Sequence, residues 1–174
     1  MSNILEKHKS LYNLNYTQGK RQEDINFEFI KQVFNEPSLM KSAYRFSHFD
    51  YYSDRFLFEL KTINNSVYKY RNVLLGTNKL ICHTSIFIFK FITETDNEIN
   101  YLQADNEAFE NFNTGFVKGA GRMDYNEVYY IPVQYLTKIN IDDKITLLYY
   151  DDKQDKILYK KAVEDDIKNS SVCK

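Results

Sequence analysis

Hydrophobic residues follow a helical period early in the chain. Between residues 21 and 35 they recur at about 100° per residue and cover one broad arc, which predicts an amphipathic helix over Arg21–Asn35. The members of the arc are Ile25, Phe27, Phe29, Ile30, Val33 and Phe34. The sequence Asn35-Glu36-Pro37 ends this helix, because the residue before a proline disfavours helical geometry. The preceding residues are polar with weak periodicity, so we expect residues 1–20 to form an N-terminal arm.

Strand patterns dominate the rest of the chain. The run Ile86–Ile92 is apolar at nearly every position, which predicts a central strand buried on both faces. Residues Asp105–Phe112 begin with acidic residues and predict a short helix capped by Asp105. Further strands are predicted at Ala43–Tyr51, Phe56–Thr62, Val67–Leu75, 99–103, 127–133, 145–150 and 157–161, with a loop at 113–122 and a polar tail at 165–174. Together these elements predict a single α+β domain, residues 1–174, organised around one sheet.

Composition narrows the classes of function. The 174 residues include 23 Lys and Arg against 24 Asp and Glu, so a polyanion would have to bind to a local patch. Cys82 and Cys173 are too few for a disulfide framework, and their spacing does not match a zinc site. The chain start lacks an apolar core of signal-peptide length, and the run "SIFIFKFI" is too short to span a membrane. We therefore expect a soluble, intracellular protein with no membrane partner.

Two opposite charges interrupt one of the predicted strands. Glu59 and Lys61 lie within Phe56–Thr62, and because side chains alternate along a strand they share a face with Leu57. The opposite face carries Phe56, Phe58 and Leu60 and is predicted to be core. Burying charges without partners costs several kcal/mol, so this placement indicates either a pairing or a functional site.

A hairpin before this strand would bring a third charged residue to the same face. If Ser53 and Asp54 form a two-residue turn, Asp50 lies opposite Leu57 and diagonal to Glu59, and His48 lies opposite Glu59. A one-residue change of register would move Asp50 to the other face. Two carboxylates on one face can hold a Mg²⁺ ion, and Lys61 beside them would orient or activate an attacking water and neutralise charge on a phosphate.

The stretch "FD…FELKT", with eight residues between Asp50 and Glu59, resembles the D-(x)n-(D/E)-x-K signature of the PD-(D/E)xK nuclease superfamily. That resemblance implies a restriction-endonuclease-like αβββαβ core with a central mixed sheet, here followed by extra C-terminal strands. It implies Mg²⁺ as cofactor, with Mn²⁺ as a substitute, and DNA as substrate. In the family a helical Glu often completes the site, and Glu23 matches it because it falls within the apolar arc of the first helix.

Two further features bear on the resemblance. Phe49 replaces the proline that gives the superfamily its name, a proline that many members lack. The stretch "YYIPVQYL" is similar to the strand and proline turn that follow the core in phage and large-virus members. We therefore expect the intracellular location to be either cytoplasmic or virus-associated. The resemblance thus predicts a metal-dependent deoxyribonuclease with Asp50, Glu59, Lys61 and Glu23 as catalytic residues and Asp50 and Glu59 as metal ligands.

Positive side chains outside the motif are candidates for DNA binding. Arg71 and Lys79 follow the motif, and Lys118 and Arg122 are the first and last residues of the stretch "KGAGR", whose backbone amides would suit a phosphate. A solvated strand face and a flexible surface loop explain these residues equally well. The sequence leaves open whether the protein forms a homodimer.

Two other functions compete with the nuclease. In one, Glu59 and Lys61 form an exposed salt bridge, Glu23 complements the helix dipole, and the protein is a catalytically silent nucleic-acid-binding or virion-associated protein. In the other, the many tyrosines form the contact surface of a protein-interaction module.

Overall fold

A computed structural model describes residues 2–104, 106–118 and 125–172, without the side chains of residues 2–16, 106 and 107. The described residues form an α+β structure with a mixed sheet of six strands and a second sheet of three. The elements are α1 Ser2–Val33, β1 Met40–Lys41, β2 Tyr51–Tyr52, β3 Leu57–Ile63, β4 Asn72–Gly76, β5 Ser85–Ile92, β6 Asn97–Gln103, α2 Asn106–Glu110, β7 Asn113–Lys118, β8 Tyr125–Pro132, β9 Thr137–Ile139 and α3 Lys153–Val172. The predicted α+β class is confirmed, but the strands form two sheets instead of one.

The first helix is longer than its hydrophobic pattern predicts. α1 begins at Ser2, so residues 2–20, where no helix was predicted, are helical. Periodicity reports which face is buried, whereas a helix nucleated by packing at one end can extend along residues that show no such pattern. The predicted end is confirmed: Asn35 has the left-handed φ of 50°, and the Glu36 N–H donates to the Lys31 carbonyl at 3.0 Å.

The strand predicted at Ile86–Ile92 is the centre of the six-stranded sheet. This strand, β5, runs parallel to β3 on one side and antiparallel to β6 on the other. Its residues Ile86 and Ile88 pack with the α1 residue Ile30, whereas Phe87 and Phe89 pack towards the three-stranded sheet. Burial on both faces, as the continuous apolar run predicts, is confirmed.

The chain passes from β3 to β5 through a crossover that contains β4 and two short 3-10 helices, Val67–Lys69 and Thr77–Lys79. β4 leaves the six-stranded sheet and pairs with β8, which in turn pairs with β7. The crossover therefore joins the two sheets. The strand predicted at Val67–Leu75 is correct only in its second half, since Ser66 caps a 3-10 helix at Val67 by accepting the Tyr68 N–H.

Several other predicted strands are wrong. Within 43–51 only Tyr51 is in a strand, because turns such as the Ser47 N–H to Tyr44 carbonyl bond interrupt the segment. Residues 145–150 lack a ladder partner among the described residues: the Ile145 N–H donates to the Val33 carbonyl, and the Leu148 N–H donates to a side chain. Conversely, residues 113–118 of the predicted loop form β7.

The C-terminal segment is a helix where a strand and a tail were predicted. α3 covers both 157–161 and the described part of 165–174. Its residues Leu158, Tyr159, Ala162 and Val163 pack against the cluster around the buried Cys82. These positions recur at helical spacing, which explains why a helix buries them better than a strand would.

The predicted short helix Asp105–Phe112 is confirmed in its central part as α2, whereas its cap residue Asp105 lies outside the described residues. None of the helices in the described parts of the chain has an apolar stretch sufficient to cross a membrane.

Candidate active site

The loop between β2 and β3 is longer than predicted. Tyr51 pairs with Phe58 and Tyr52 with Leu57, so the two-residue turn is wrong and residues 53–56 form the loop. The Ser53 hydroxyl stabilises this loop by accepting the Phe56 N–H at 3.2 Å. The paired residues differ from the predicted pairs by two positions. Asp50 precedes β2 and lies outside this ladder, so its own hydrogen bonds to β3 set its place beside Glu59.

The Asp50 carboxylate occupies the place where a longer β2 would continue. β2 has only two residues, and the Asp50 N–H still donates to the Phe58 carbonyl at 2.8 Å. The next free donor on β3 is the Leu60 N–H, which donates to Asp50 Oδ2 at 2.8 Å. The side chain of Asp50 therefore satisfies the edge of β3 and is held against it in a fixed orientation.

Glu23 reaches this point from α1. The Tyr51 hydroxyl, on a fully buried ring, donates to the Glu23 carbonyl at 2.6 Å and ties the helix to β2. The Glu23 side chain is 16% exposed and accepts a hydrogen bond from Lys20 at 2.6 Å. Burial, the Asp50 charge and a hydrogen bond to Asp50 raise the pKa of Glu23 to about 7, although Lys20 opposes this shift.

The other two carboxyl groups have raised pKa values for the same reasons. Burial and then the Glu59 charge raise the pKa of Asp50 to about 7, although the Leu60 N–H bond opposes the shift. Burial raises the pKa of Glu59, and Lys79 counteracts this by lying 2.7 Å from Glu59 Oε1. Glu59 Oε2 is buried and has no hydrogen-bond partner among the described residues. Three acids thus share one poorly solvated volume, which favours a bound cation or a shared proton.

Lys61 lies beside the carboxylates at the junction of the two sheets. Its ammonium donates to the Leu74 carbonyl of β4. Burial lowers the pKa of Lys61, and the Glu59 charge partly restores it. A lysine of this kind is easier to deprotonate than a solvated one, which suits a group that exchanges a proton with water.

Two clefts meet at Lys61. The helix cleft, of about 590 Å³, lies between α1 and β3 and is lined by Gln18, Arg21, Gln22, Thr62 and Asn64 as well as Lys61. The sheet cleft, of about 410 Å³, lies along β4 and is lined by Ile63, Tyr70, Arg71, Leu74 and Tyr130 as well as Lys61. Both volumes are in the range of ligand-binding clefts, and a chain-like ligand that passes Lys61 could enter both.

The carboxylates fit a hard divalent cation by their chemistry. Mg²⁺ takes oxygen ligands and is commonly held by one or two carboxylates plus water. Asp50 and Glu59 supply two such carboxylates. The Oε2 atom of Glu59, which has no hydrogen-bond partner in the described residues, is an oxygen ligand atom of the kind that Mg²⁺ takes. No group of three or more His, Cys, Asp or Glu side chains in the described ranges is already arranged to hold a metal ion. Any cation here would therefore keep several of its waters.

The four predicted DNA-binding residues lie in different places. Arg71 is exposed and lines the sheet cleft, and Lys118 is exposed at the end of β7. Lys79 instead lies inside the carboxylate cluster, paired with Glu59. Arg122 lies outside the described residues. His48, predicted opposite Glu59, instead has its Nδ1 3.3 Å from the Asn78 side-chain nitrogen.

Sequence reasoning missed two contributors to this site. The role of Lys79 depends on the path of the crossover, which neither spacing nor composition reports. The Tyr51 hydroxyl had no visible partner in the sequence, because its acceptor is a backbone carbonyl of a distant helix. By contrast, the spacing of Lys20 and Glu23, three residues apart on a helix, is a readable signal of a side-chain pair.

Comparison with protein-family models, with curated proteins and with solved structures gives no match for this chain. The indications of function are therefore the geometry around Asp50 and Glu59 and the resemblance of their spacing to a known motif.

Proposed function

We propose that the protein is a Mg²⁺-dependent nuclease that hydrolyses DNA phosphodiester bonds. In this proposal Asp50 and Glu59 hold the metal, Lys61 serves the attacking water and the phosphate, and Glu23 assists. One observation carries the proposal: Glu23, Asp50 and Glu59, which come from three separate segments, are partly buried and close enough for their charges to raise one another's pKa, with Lys61 beside Glu59. Such a concentration of like charge is costly to a fold unless a cation relieves it, and it is typical of catalytic sites.

The order of elements supports a restriction-endonuclease-like core. α1 precedes β1, β2 and β3, which are antiparallel neighbours, and β5 then adds in parallel to β3. This agrees with the αβββαβ order, except that β4 and two 3-10 helices replace the second helix. The Asp and the Glu of the motif lie at adjacent antiparallel strands, as in that superfamily.

The chain's own residues have distinct roles in the proposed reaction. A bound Mg²⁺ supplies polarisation of the phosphoryl oxygen and a lowered pKa for a coordinated water. The Leu60 N–H holds the Asp50 carboxylate in place, so Asp50 needs little rearrangement to act as a ligand. Lys61 Nζ, held by the Leu74 carbonyl, can hydrogen-bond a water and stabilise negative charge on the phosphate. Glu59 would hold the cation in place of Lys79, whose ammonium would then be free to donate to a phosphate oxygen.

Cleavage of supercoiled plasmid tests this proposal. The protein should nick or linearise the plasmid with Mg²⁺ or Mn²⁺ and leave it intact with EDTA. Glu59→Gln should abolish cleavage, whereas Glu28→Gln, which removes an exposed acid on α1, should not. Equal activity of both variants would contradict the assignment of Glu59.

One observation favours a second function, a catalytically silent DNA-binding protein. The Lys79 ammonium already neutralises Glu59, as it would in a site that no longer binds metal. This alternative predicts DNA binding without cleavage by either cation, so the same assay with a parallel binding measurement separates the two functions.

A further inference from the structure

The sheet cleft has walls that differ from those of the helix cleft. Ile63, Val73 and Leu74 supply apolar surface, and Tyr70 and Tyr130 supply aromatic rings. Tyr70 is 48% exposed, so much of its surface is open to a ligand. Lys61 forms the boundary with the helix cleft, which places this apolar volume next to the proposed point of cleavage.

The position of the Tyr130 ring depends on a glycine. A Cβ atom at Gly115 of β7 would lie 2.9 Å from the Tyr130 ring, closer than packed atoms approach each other. Glycine therefore lets the ring lie across β7, and Leu74 is its cross-strand neighbour on β4. The ring is thus held against the sheet before any ligand arrives, which lowers the entropic cost of binding.

Cations stand at the rim of the same cleft. The Arg71 guanidinium is exposed and forms no ion pair with any described residue. The Lys69 ammonium lies 5.6 Å from the centroid of the Tyr70 ring, which adds a second positive charge there. An apolar aromatic floor with a cationic rim matches a ligand that has a flat aromatic part joined to an anion.

We propose that the sheet cleft binds an unpaired nucleobase of a single-stranded nucleic acid, with Arg71 on an adjoining phosphate. This inference rests on the proposed function, because it places the neighbouring phosphodiester at Lys61. A base that is paired and stacked in a duplex cannot present its faces to Tyr70 and Tyr130, whereas an unpaired base can stack on either ring. The preferred substrate is therefore a single strand, a loop or a frayed end.

Anisotropy with a fluorescein-labelled oligothymidylate in EDTA tests the inference without interference from cleavage. The wild type should bind this probe more tightly than an abasic oligonucleotide of equal length, which has the phosphates but no bases. Tyr70→Ala should weaken oligothymidylate binding by about five- to a hundredfold and remove the difference between the probes. Tyr70→Phe should retain most of the affinity, because the stacking surface remains.

Tyr68→Ala is the matched control. Tyr68 is 88% exposed, lies two residues from Tyr70 and does not line the sheet cleft, so its removal should leave the affinity unchanged. Equal affinities of the wild type for the two probes, or equal losses in Tyr68→Ala and Tyr70→Ala, would overturn the inference. Binding that depends on Tyr70, without cleavage in Mg²⁺ or Mn²⁺, would support the inference and contradict the nuclease. Cleavage with no effect of Tyr70→Ala on binding would support the nuclease and overturn the inference.

Discussion

The Lys79 ammonium lies 2.7 Å from one oxygen of Glu59, while the other oxygen of that carboxylate has no partner among the described residues. One oxygen of Glu59 is therefore paired by the chain itself, and the other is a buried acceptor without a partner in the described residues. If a cation binds here, it must compete with Lys79 for the same negative charge.

This competition leads to the first prediction. Lys79→Gln should tighten Mn²⁺ binding by on the order of tenfold, about 1.4 kcal/mol, because the variant loses both the competing ion pair and a nearby positive charge. Calorimetric titration above neutral pH, where Asp50 and Glu23 are mostly ionised, measures this change. Lys118→Gln removes an exposed charge at the end of β7 and serves as the control. Weaker Mn²⁺ binding in Lys79→Gln would mean that Lys79 supports the metal site.

The second prediction concerns stability and pH. Asp50 and Glu23 have pKa values of about 7 in the folded protein, above their ordinary values of 3.8 and 4.5. Between about pH 4 and pH 7 the unfolded chain therefore binds fewer protons than the folded one, so these groups lower the free energy of unfolding as pH rises. Asp50→Asn removes one of them. Without metal, its melting temperature should exceed that of the wild type at about pH 8, by about 2–4 °C for each kcal/mol relieved, and the gap should close near pH 4.

Asp54→Asn provides the comparison for this experiment. Asp54 is exposed in the loop before β3, so its melting temperature should follow that of the wild type at every pH. A melting temperature of Asp50→Asn that lies below the wild type at both ends of the pH range would show that the charge of Asp50 stabilises the fold.

The third prediction separates catalysis from binding. Lys61→Ala should lower the cleavage rate by on the order of 10² to 10⁴-fold with little change in DNA affinity, as expected of a positioned proton-transfer group. Arg71→Gln should instead weaken binding and reduce the salt dependence of log K by about one unit for a lost phosphate contact. Single-turnover rates and binding at several salt concentrations measure both. Equal losses of affinity in the two variants, without a rate defect special to Lys61, would favour the silent binder.

The fourth prediction concerns the attachment of α3. Asp166 is 3% exposed, and its carboxylate accepts the Ser42 hydroxyl at 2.6 Å and the Ala43 N–H at 3.4 Å. Asp166→Ala should lower the free energy of unfolding by about 1–3 kcal/mol, because those donors lose their partner. Asp165→Ala, at the exposed neighbouring position, should change it by less than about 0.5 kcal/mol. Urea denaturation compares the two, and equal effects would rule out a special role for Asp166.

The sequence predicted the parts of the fold that depend on local patterns. The buried strand at Ile86–Ile92 follows from an apolar run, and the end of α1 follows from Asn35-Glu36-Pro37. Asp50 and Glu59 lie close enough for the Glu59 charge to raise the pKa of Asp50, although the predicted turn is wrong. Their separation by only eight residues around one predicted hairpin is why a site could be proposed before the loop was known.

Long-range packing explains what the sequence could not predict. The apolar residues around Leu158 follow a sequence pattern that resembles a strand. The buried side of this helix also includes Asp155 and Asp166, two charged residues that a hydrophobic pattern does not predict to be buried. Asp155 is buried and accepts a hydrogen bond from the His83 N–H, 72 positions away in the sequence. The place of Lys79 likewise depends on a crossover without an α-helix. Polar contacts of this kind leave no periodic signal.

Calorimetric titration of Mn²⁺ into the wild type, Glu59→Gln and Glu28→Gln most directly tests whether the buried carboxylates form a metal site. We predict one binding site in the wild type and in Glu28→Gln, and none in Glu59→Gln. Binding should release protons near pH 7, where Asp50 and Glu23 are partly protonated, and buffers of different ionisation enthalpy would reveal this release. Identical Mn²⁺ binding in all three proteins would contradict the assignment of Glu59 as a metal ligand, and no binding in any of them would contradict the metal site itself.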